Sequence, residues 1–169
     1  MTYFELFEIP IQLKVNTALL SKKFFELSKK YHPDYFANES EEIQAEVLEK
    51  SALLNKAWKT FQSSDATIKY VLQEKGLLEE EEKYELPTAF LMEVMDINEQ
   101  LMEIDEISNT KELSSIISQL SSQIYAPVKE VVENYQYATA TEKQLLQVKE
   151  YYYKKKYLDR IRQQLAGMA

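Results

Sequence analysis

The 169-residue chain is 45% hydrophobic and 28% charged, with only 2 Gly and 4 Pro, so turn-forming residues are scarce and an all-α fold in one or two domains is expected. With no Cys and a single His, disulfides and zinc sites of the Cys/His kind are excluded, and the net charge of −8 argues against general nucleic-acid binding. There is no apolar run long enough for a membrane span and no basic start followed by an apolar stretch at Met1, so a cytoplasmic protein is expected.

Thr2 followed by Glu5 fits a capping box for a short first helix from Tyr3 to about Phe7, ended by Pro10. Asn16 or Thr17 can cap a second helix, in which Leu20, Phe24, Leu27 and Tyr31 make one apolar stripe. Lys22 and Lys29 lie opposite that stripe with Lys23 and Lys30 flanking, a positive outer face that is either merely solvated or a docking face for an acidic partner. Tyr31-His32-Pro33-Asp34 follows at once. Pro33 lacks an N–H and disfavours helix at His32, so the chain should turn there, with Asp34 able to hydrogen-bond local backbone. A third helix is expected from about Glu41 to Gln62, with Asn38 and Glu41 as a possible capping box. Ile43, Val47, Leu54 and Phe61 form its stripe, and Trp58 reads as core. Ser63-Ser64-Asp65 ends that helix or caps a further short one carrying Ile68, Tyr70, Val71 and Leu72.

Residues 76–87 read as a linker, with Gly76, four consecutive glutamates (Glu79 to Glu82) expected to be solvated, and Pro87. The charge is uneven across it: residues 1–75 hold 10 Lys/Arg against 11 Asp/Glu, net −1, whereas 76–169 hold 10 against 17, net −7. Two modules follow, 1–75 and 88–169. Thr88 begins a helix to about Ile107 in which Phe90, Val94, Ile97, Leu101 and Ile104 repeat at alternating four and three, the seam of a bundle. Leu91, Met95 and Met102 lie about 100–140° from the seam, and Met92, Asp96, Glu99 and Glu103 lie about opposite it. An apolar strip with methionines thus borders an acidic one, which favours an exposed binding patch over a thick bundle that buries both. After a turn at 108–111, Leu113, Ile117, Leu120, Ile124, Val131 and Tyr135 mark another helix that Pro127 should kink or split. Thr139 with Glu142 offers a cap for a last helix to about Leu165, whose apolar residues settle on no single stripe. Lys154, Lys155 and Lys156 beside Tyr157 form a basic-aromatic cluster. Three antiparallel helices over 88–166 make a small bundle.

His-Pro-Asp between two such helices is the signature of a J-domain, the co-chaperone module that stimulates DnaK-type ATPases; by chance the tripeptide occurs in roughly one chain of this length in a hundred. With Tyr3-Phe4-Glu5-Leu6-Phe7, Leu53-Leu54-Asn55-Lys56-Ala57-Trp58, Thr88-Ala89-Phe90-Leu91-Met92-Glu93 and Tyr157-Leu158-Asp159 in order, nearly the whole chain resembles the HscB family of iron–sulfur assembly co-chaperones. The resemblance implies a J-domain helical hairpin at 1–75, a linker at 76–87 and a three-helix scaffold-binding domain at 88–169. It implies that Lys22, Lys23, Lys29, Lys30, His32, Pro33 and Asp34 engage an HscA/DnaK-type chaperone. It further implies that Leu91, Met92, Met95, Asp96, Glu99, Glu103 and Tyr157 bind an IscU-type iron–sulfur scaffold. The protein is then an ATPase activator rather than an enzyme, with no cofactor, no metal, and neither nucleic acid nor membrane as a partner; a J-protein serving a different client is the alternative. Asp65-Ala66-Thr67-Ile68 stands where relatives often carry an Arg, and Pro127 is unusual for the bundle. Without Cys the chain lacks the thiolates on which iron–sulfur clusters are mostly held, so it would deliver the scaffold rather than hold the cluster.

Overall fold

The computed structural model describes residues 1–104 and 107–167, and all regular structure among them is helical. The helices are α1 (Tyr3–Leu6), α2 (Thr17–Lys30), α3 (Glu41–Phe61), α4 (Ser64–Glu74), α5 (Thr88–Met102), α6 (Ile107–Tyr125), α7 (Lys129–Glu133) and α8 (Glu142–Ala166), with short 3-10 turns at Pro33–Phe36 and Ala126–Val128. They divide into two compact units, one of residues 1–71 with 134–139, the other of 72–133 with 140–169.

In the first unit the caps act as local chemistry requires. The Thr2 hydroxyl accepts from the Glu5 N–H at 3.1 Å while Glu5 accepts from the Thr2 N–H at 2.8 Å. Asn16 Oδ1 takes the N–H groups of Ala18 and Leu19. At α3 it is Ser40, not Asn38, that caps, accepting from the Ile43 N–H at 3.3 Å, because Ser40 is the last extended residue before the helix. Phe4 and Phe7 pack on Phe61 at ring separations of 5.1 and 5.3 Å, and Tyr3 stacks on Tyr70 at 4.2 Å. The α2 and α3 helices run antiparallel: Phe24 stacks on Trp58 at 5.1 Å near one end, and Lys50 sits 5.1 Å from the Tyr31 ring near the other. Leu20, Leu27, Val47, Leu54, Ala57 and Phe61 are buried between them and their neighbours. Ile43, expected in the same stripe, is 38% exposed, because the first turn of α3 has no buried residue and the core side of the helix begins at Val47.

In the second unit α5, α6 and α8 pack pairwise as a three-helix bundle. Phe90, Val94, Ile97 and Leu101 are buried along α5. The α5 helix ends at Met102, short of Ile107, so Ile104 lies past its end; α6 already begins at Ile107, so 108–111 are helix and not the expected turn. Leu113, Ile117, Leu120 and Ile124 form the buried edge of α6. Pro127 does split the next stretch, and the tighter 3-10 step it imposes shifts the phase: Val128 and Val132 are buried in place of Val131, and Tyr135 lies beyond α7. The last helix is capped by a Thr141–Gln144 box, not by Thr139 and Glu142. Its core side is Leu145, Val148, Tyr151, Tyr152, Leu158, Ile161 and Leu165.

Between α4 and α5 the chain is less free than a solvated run of glutamates would be. Gly76, at φ 71°, closes α4 with the paired bonds of a Schellman turn, Gly76 N–H to Gln73 O and Leu77 N–H to Leu72 O, each at 2.9 Å. Glu82 is then drawn onto α8, where Lys149 donates to it at 3.0 Å and the Tyr153 hydroxyl at 2.9 Å. Tyr84 stacks flat on Tyr153 at 4.5 Å. Burial opposes the Glu82 charge, but Lys149, the Tyr153 hydroxyl and the Glu79 N–H outweigh it and hold the carboxyl below its ordinary value of 4.5. Burial, then the carboxylate of Glu82, pushes the Tyr153 phenol well above its ordinary range.

Two outcomes follow for stability. Leu54→Ala, at a site 1% exposed, should cost about 2–5 kcal/mol in chemical denaturation, against less than about 0.5 kcal/mol for Leu48→Ala, 61% exposed on the same helix. A carboxyl held below its unfolded pKa contributes stability that is present above about pH 4.5 and is lost as pH falls through the folded value. Glu82→Gln should therefore be less stable than wild type at neutral pH, and its melting temperature should fall less steeply below pH 4.5 in a pH series of thermal melts.

Candidate functional site

The corner between α2 and α3 is built by His32-Pro33-Asp34 itself. His32 is extended (φ −72°, ψ 126°), as a residue before proline should be, and it caps the 3-10 turn: its Nδ1 accepts from the Asp34 N–H at 3.3 Å. Pro33 occupies the first position of the turn, where a missing N–H leaves nothing unsatisfied. A neutral ring that accepts at Nδ1 carries its proton on Nε2. The local bond to backbone that Asp34 could have made is thus made by His32 instead. The Asp34 carboxylate is left 88% exposed, 3.6 Å from the imidazole, with no hydrogen bond to it among the described residues. Tyr35 closes the turn, its N–H donating to the His32 carbonyl at 3.1 Å and its ring standing edge-on to the imidazole.

Lys22, Lys29 and Lys30 are exposed on the outer face of α2. Lys23 differs: its ammonium is bonded to Glu8 at 3.0 Å, on a backbone that takes φ 55° just after α1. That hydrogen bond, then the charge of Lys23, holds the Glu8 carboxyl below its ordinary range. Of the four lysines, Lys22 and Lys29 present their charge outward, Lys30 is exposed with its ammonium 5.3 Å from the Tyr31 ring, and Lys23 is tethered. The periodicity did not single out Leu19 and Phe25, each 66% exposed on the same outer side of α2. Their signal was available as apolar residues outside the stripe, about 100° or more from its centre.

In the second unit Leu91, Met92, Met95, Asp96 and Glu99 lie on the exposed side of α5, away from its buried seam, and the exposed Glu103 is the C-cap just past its end. Met92 is 62% and Met95 60% exposed, with Met102 at 87% beside them, so the methionines are surface and not core. Tyr157 is half-buried on α8, edge-on to Phe90 at 6.5 Å. Leu91 and Tyr157 line one groove of about 590 Å³, whose other wall is the segment from Glu82 to Leu86 held against α8. Lys156 and Arg160 line it as well. Arg160 and Glu82 were missed in sequence reasoning, the first because it stands alone and the second because it sits in a uniform acidic run. No group of three His, Cys, Asp or Glu among the described residues could hold a metal ion, and no helix there is long and apolar enough to cross a membrane.

The family described as the HSCB C-terminal oligomerisation domain matches residues 86–166. Across its length the chain is similar to two solved structures. The crystal structure of human co-chaperone protein HscB is 27% identical, with a TM-score of 0.79, over 98% of this chain and 81% of that one. Chaperone HscB from Vibrio cholerae is also 27% identical, with a TM-score of 0.65, over 98% of this chain and 99% of that one. With a helical hairpin turned at His-Pro-Asp, a three-helix bundle after it and these matches, the chain is similar to HscB co-chaperones along its length, and residues 86–166 match the family of their C-terminal domain.

Proposed function

We propose that this protein is a co-chaperone of iron–sulfur cluster assembly that stimulates the ATPase of an HscA/DnaK-type chaperone and delivers an IscU-type scaffold to it. The observation that carries the reading is the corner at Asp34, an exposed carboxylate on a turn capped by its own histidine, at the end of a helix with an outward basic face. An exposed carboxylate that accepts no hydrogen bond among the described residues is open to a donor on another protein, and the rigid turn lowers the ordering cost of presenting it. Lys22, Lys29 and Lys30 would speed encounter with an acidic chaperone surface and make docking salt-sensitive; Lys23 would contribute less, being already paired with Glu8.

On the second unit the scaffold would meet Leu91, Met92 and Met95 as the apolar centre, Asp96, Glu99 and Glu103 as an acidic border, and Tyr157 at the edge. Adaptable, solvent-exposed methionines beside acids suit recognition of a partner with an apolar centre and a basic rim. Holding the scaffold on one unit while the other engages the ATPase makes the second encounter effectively intramolecular, which raises its local concentration. The protein acts as an activator of another protein's hydrolysis and needs no cofactor of its own for this.

In a steady-state ATPase assay with the cognate chaperone, Asp34→Asn should reduce turnover to the unstimulated rate with the α-helical circular dichroism intact; undiminished stimulation refutes the J-domain reading. In titrations with the scaffold, Leu91→Ala with Met95→Ala should weaken binding by about tenfold or more while ATPase stimulation by the free J-domain corner is retained. A fall in helicity would instead make those side chains structural.

A further inference from the structure

The last helix carries seven of the ten Lys and Arg residues of the second half of the chain, and four of the seven are already paired. Lys149 is paired with Glu82 at 3.0 Å, Lys154 with Glu150 at 3.5 Å, Lys155 with Asp159 at 2.9 Å, and Arg162 with Asp159 at 3.5 Å. Lys156 and Arg160 are the exceptions on the groove side: both are exposed, both line the 590 Å³ groove, and neither has an ion-pair partner among the described residues. They stand one helical turn apart, a spacing at which like charges repel. They do so in the half of the chain with net charge −7, where carboxylates are abundant. An anion supplied from outside would relieve that repulsion.

The groove does not suit a small inorganic anion. Leu86, Leu91 and Tyr157 give it apolar walls; of the two carboxylates that also line it, Glu82 is already paired with Lys149, and Glu85 is exposed. A bare phosphate would leave those apolar walls wet, whereas a side chain ending in a carboxylate, with an apolar neighbour, covers them as well as reaching the two cations. Along α5 and at its C-cap, on the helix that lines the groove at Leu91, the exposed acids Asp96, Glu99 and Glu103 call for the opposite sign in the partner.

We propose that this groove seats an acidic side chain of the scaffold with an apolar neighbour, the carboxylate on Lys156 and Arg160 and the apolar group against Leu86, Leu91 and Tyr157. The inference rests on the reading that this unit binds an IscU-type scaffold, and it adds a polarity to it. The partner's surface is basic where it faces α5 and acidic where it faces α8, so only one orientation satisfies both.

The test is a titration of the full chain with the scaffold protein at low and at high ionic strength, with three forms: wild type, Lys156→Glu/Arg160→Glu, and Lys111→Glu/Lys129→Glu as a reversal of equal charge elsewhere on the surface. The groove variant should bind about tenfold or more weakly at low salt, with the deficit shrinking at high salt, while the control changes by less than about threefold. Should the reversal disturb melting, Lys156→Gln/Arg160→Gln gives the same reading with a smaller effect. Equal binding by wild type and groove variant overturns the proposal and leaves the scaffold reading standing, as does a loss no larger than the control's. Competition by millimolar inorganic phosphate overturns it in favour of a simple anion site. No binding by wild type overturns the scaffold reading and this proposal together.

Discussion

The first unit depends on a single backbone constraint, the proline at position 33. Without an N–H to donate, it cannot continue α2, and it holds His32 extended. The chain must therefore turn within four residues, and that turn sets α3 back along α2 so that Phe24 meets Trp58 and Tyr31 meets Lys50. The same constraint organises the chemistry of the corner. Pro33 places His32 in the capping position, His32 takes the Asp34 N–H, and the Asp34 carboxylate is left exposed, with no hydrogen bond to it among the described residues. A group that elsewhere would be consumed in capping its own helix is thereby kept for a partner.

The second unit rests on a different economy, the separation of two faces on one helix. Every residue of α5 that repeats at three and four with Phe90 is buried, and the methionines and acids lie outside. The groove beside Leu91 exists because Glu82 and Tyr84 are fastened to Lys149 and Tyr153, which turns a stretch of glutamates into a wall. An ion pair in the segment before the bundle thus shapes a surface at Tyr157.

Much of this was legible in the sequence because the signals are local. Helix type, the stripe from Leu20 to Leu27, the α5 seam and the break at Pro127 follow from periodicity and from proline's missing donor. Other features depend on groups brought together over long separations. That Lys23 would spend its charge on Glu8 needs the left-handed turn after α1, and that Glu82 would reach Tyr153 needs a contact 71 residues away. Caps were misplaced by two residues at both α3 and α8, since several Ser, Thr and Asn candidates stand near each start and only the backbone decides which is last extended. The buried side of α8 could not be read because Tyr151, Tyr152 and Tyr153 fill adjacent positions. In the fold the first two are buried, and the third lies at the flank, bonded to Glu82.

The exposed thioethers of Met92, Met95 and Met102 have a chemical corollary. Peroxide reaches solvent-open methionine most readily, and the sulfoxide it forms is polar and reducible. None of these three sulfurs contributes to the hydrophobic interior, so mild oxidant converts the greasy strip of α5 into a hydrophilic one while the bundle stays folded. An oxidised preparation would look intact by its helix content and yet carry an altered surface.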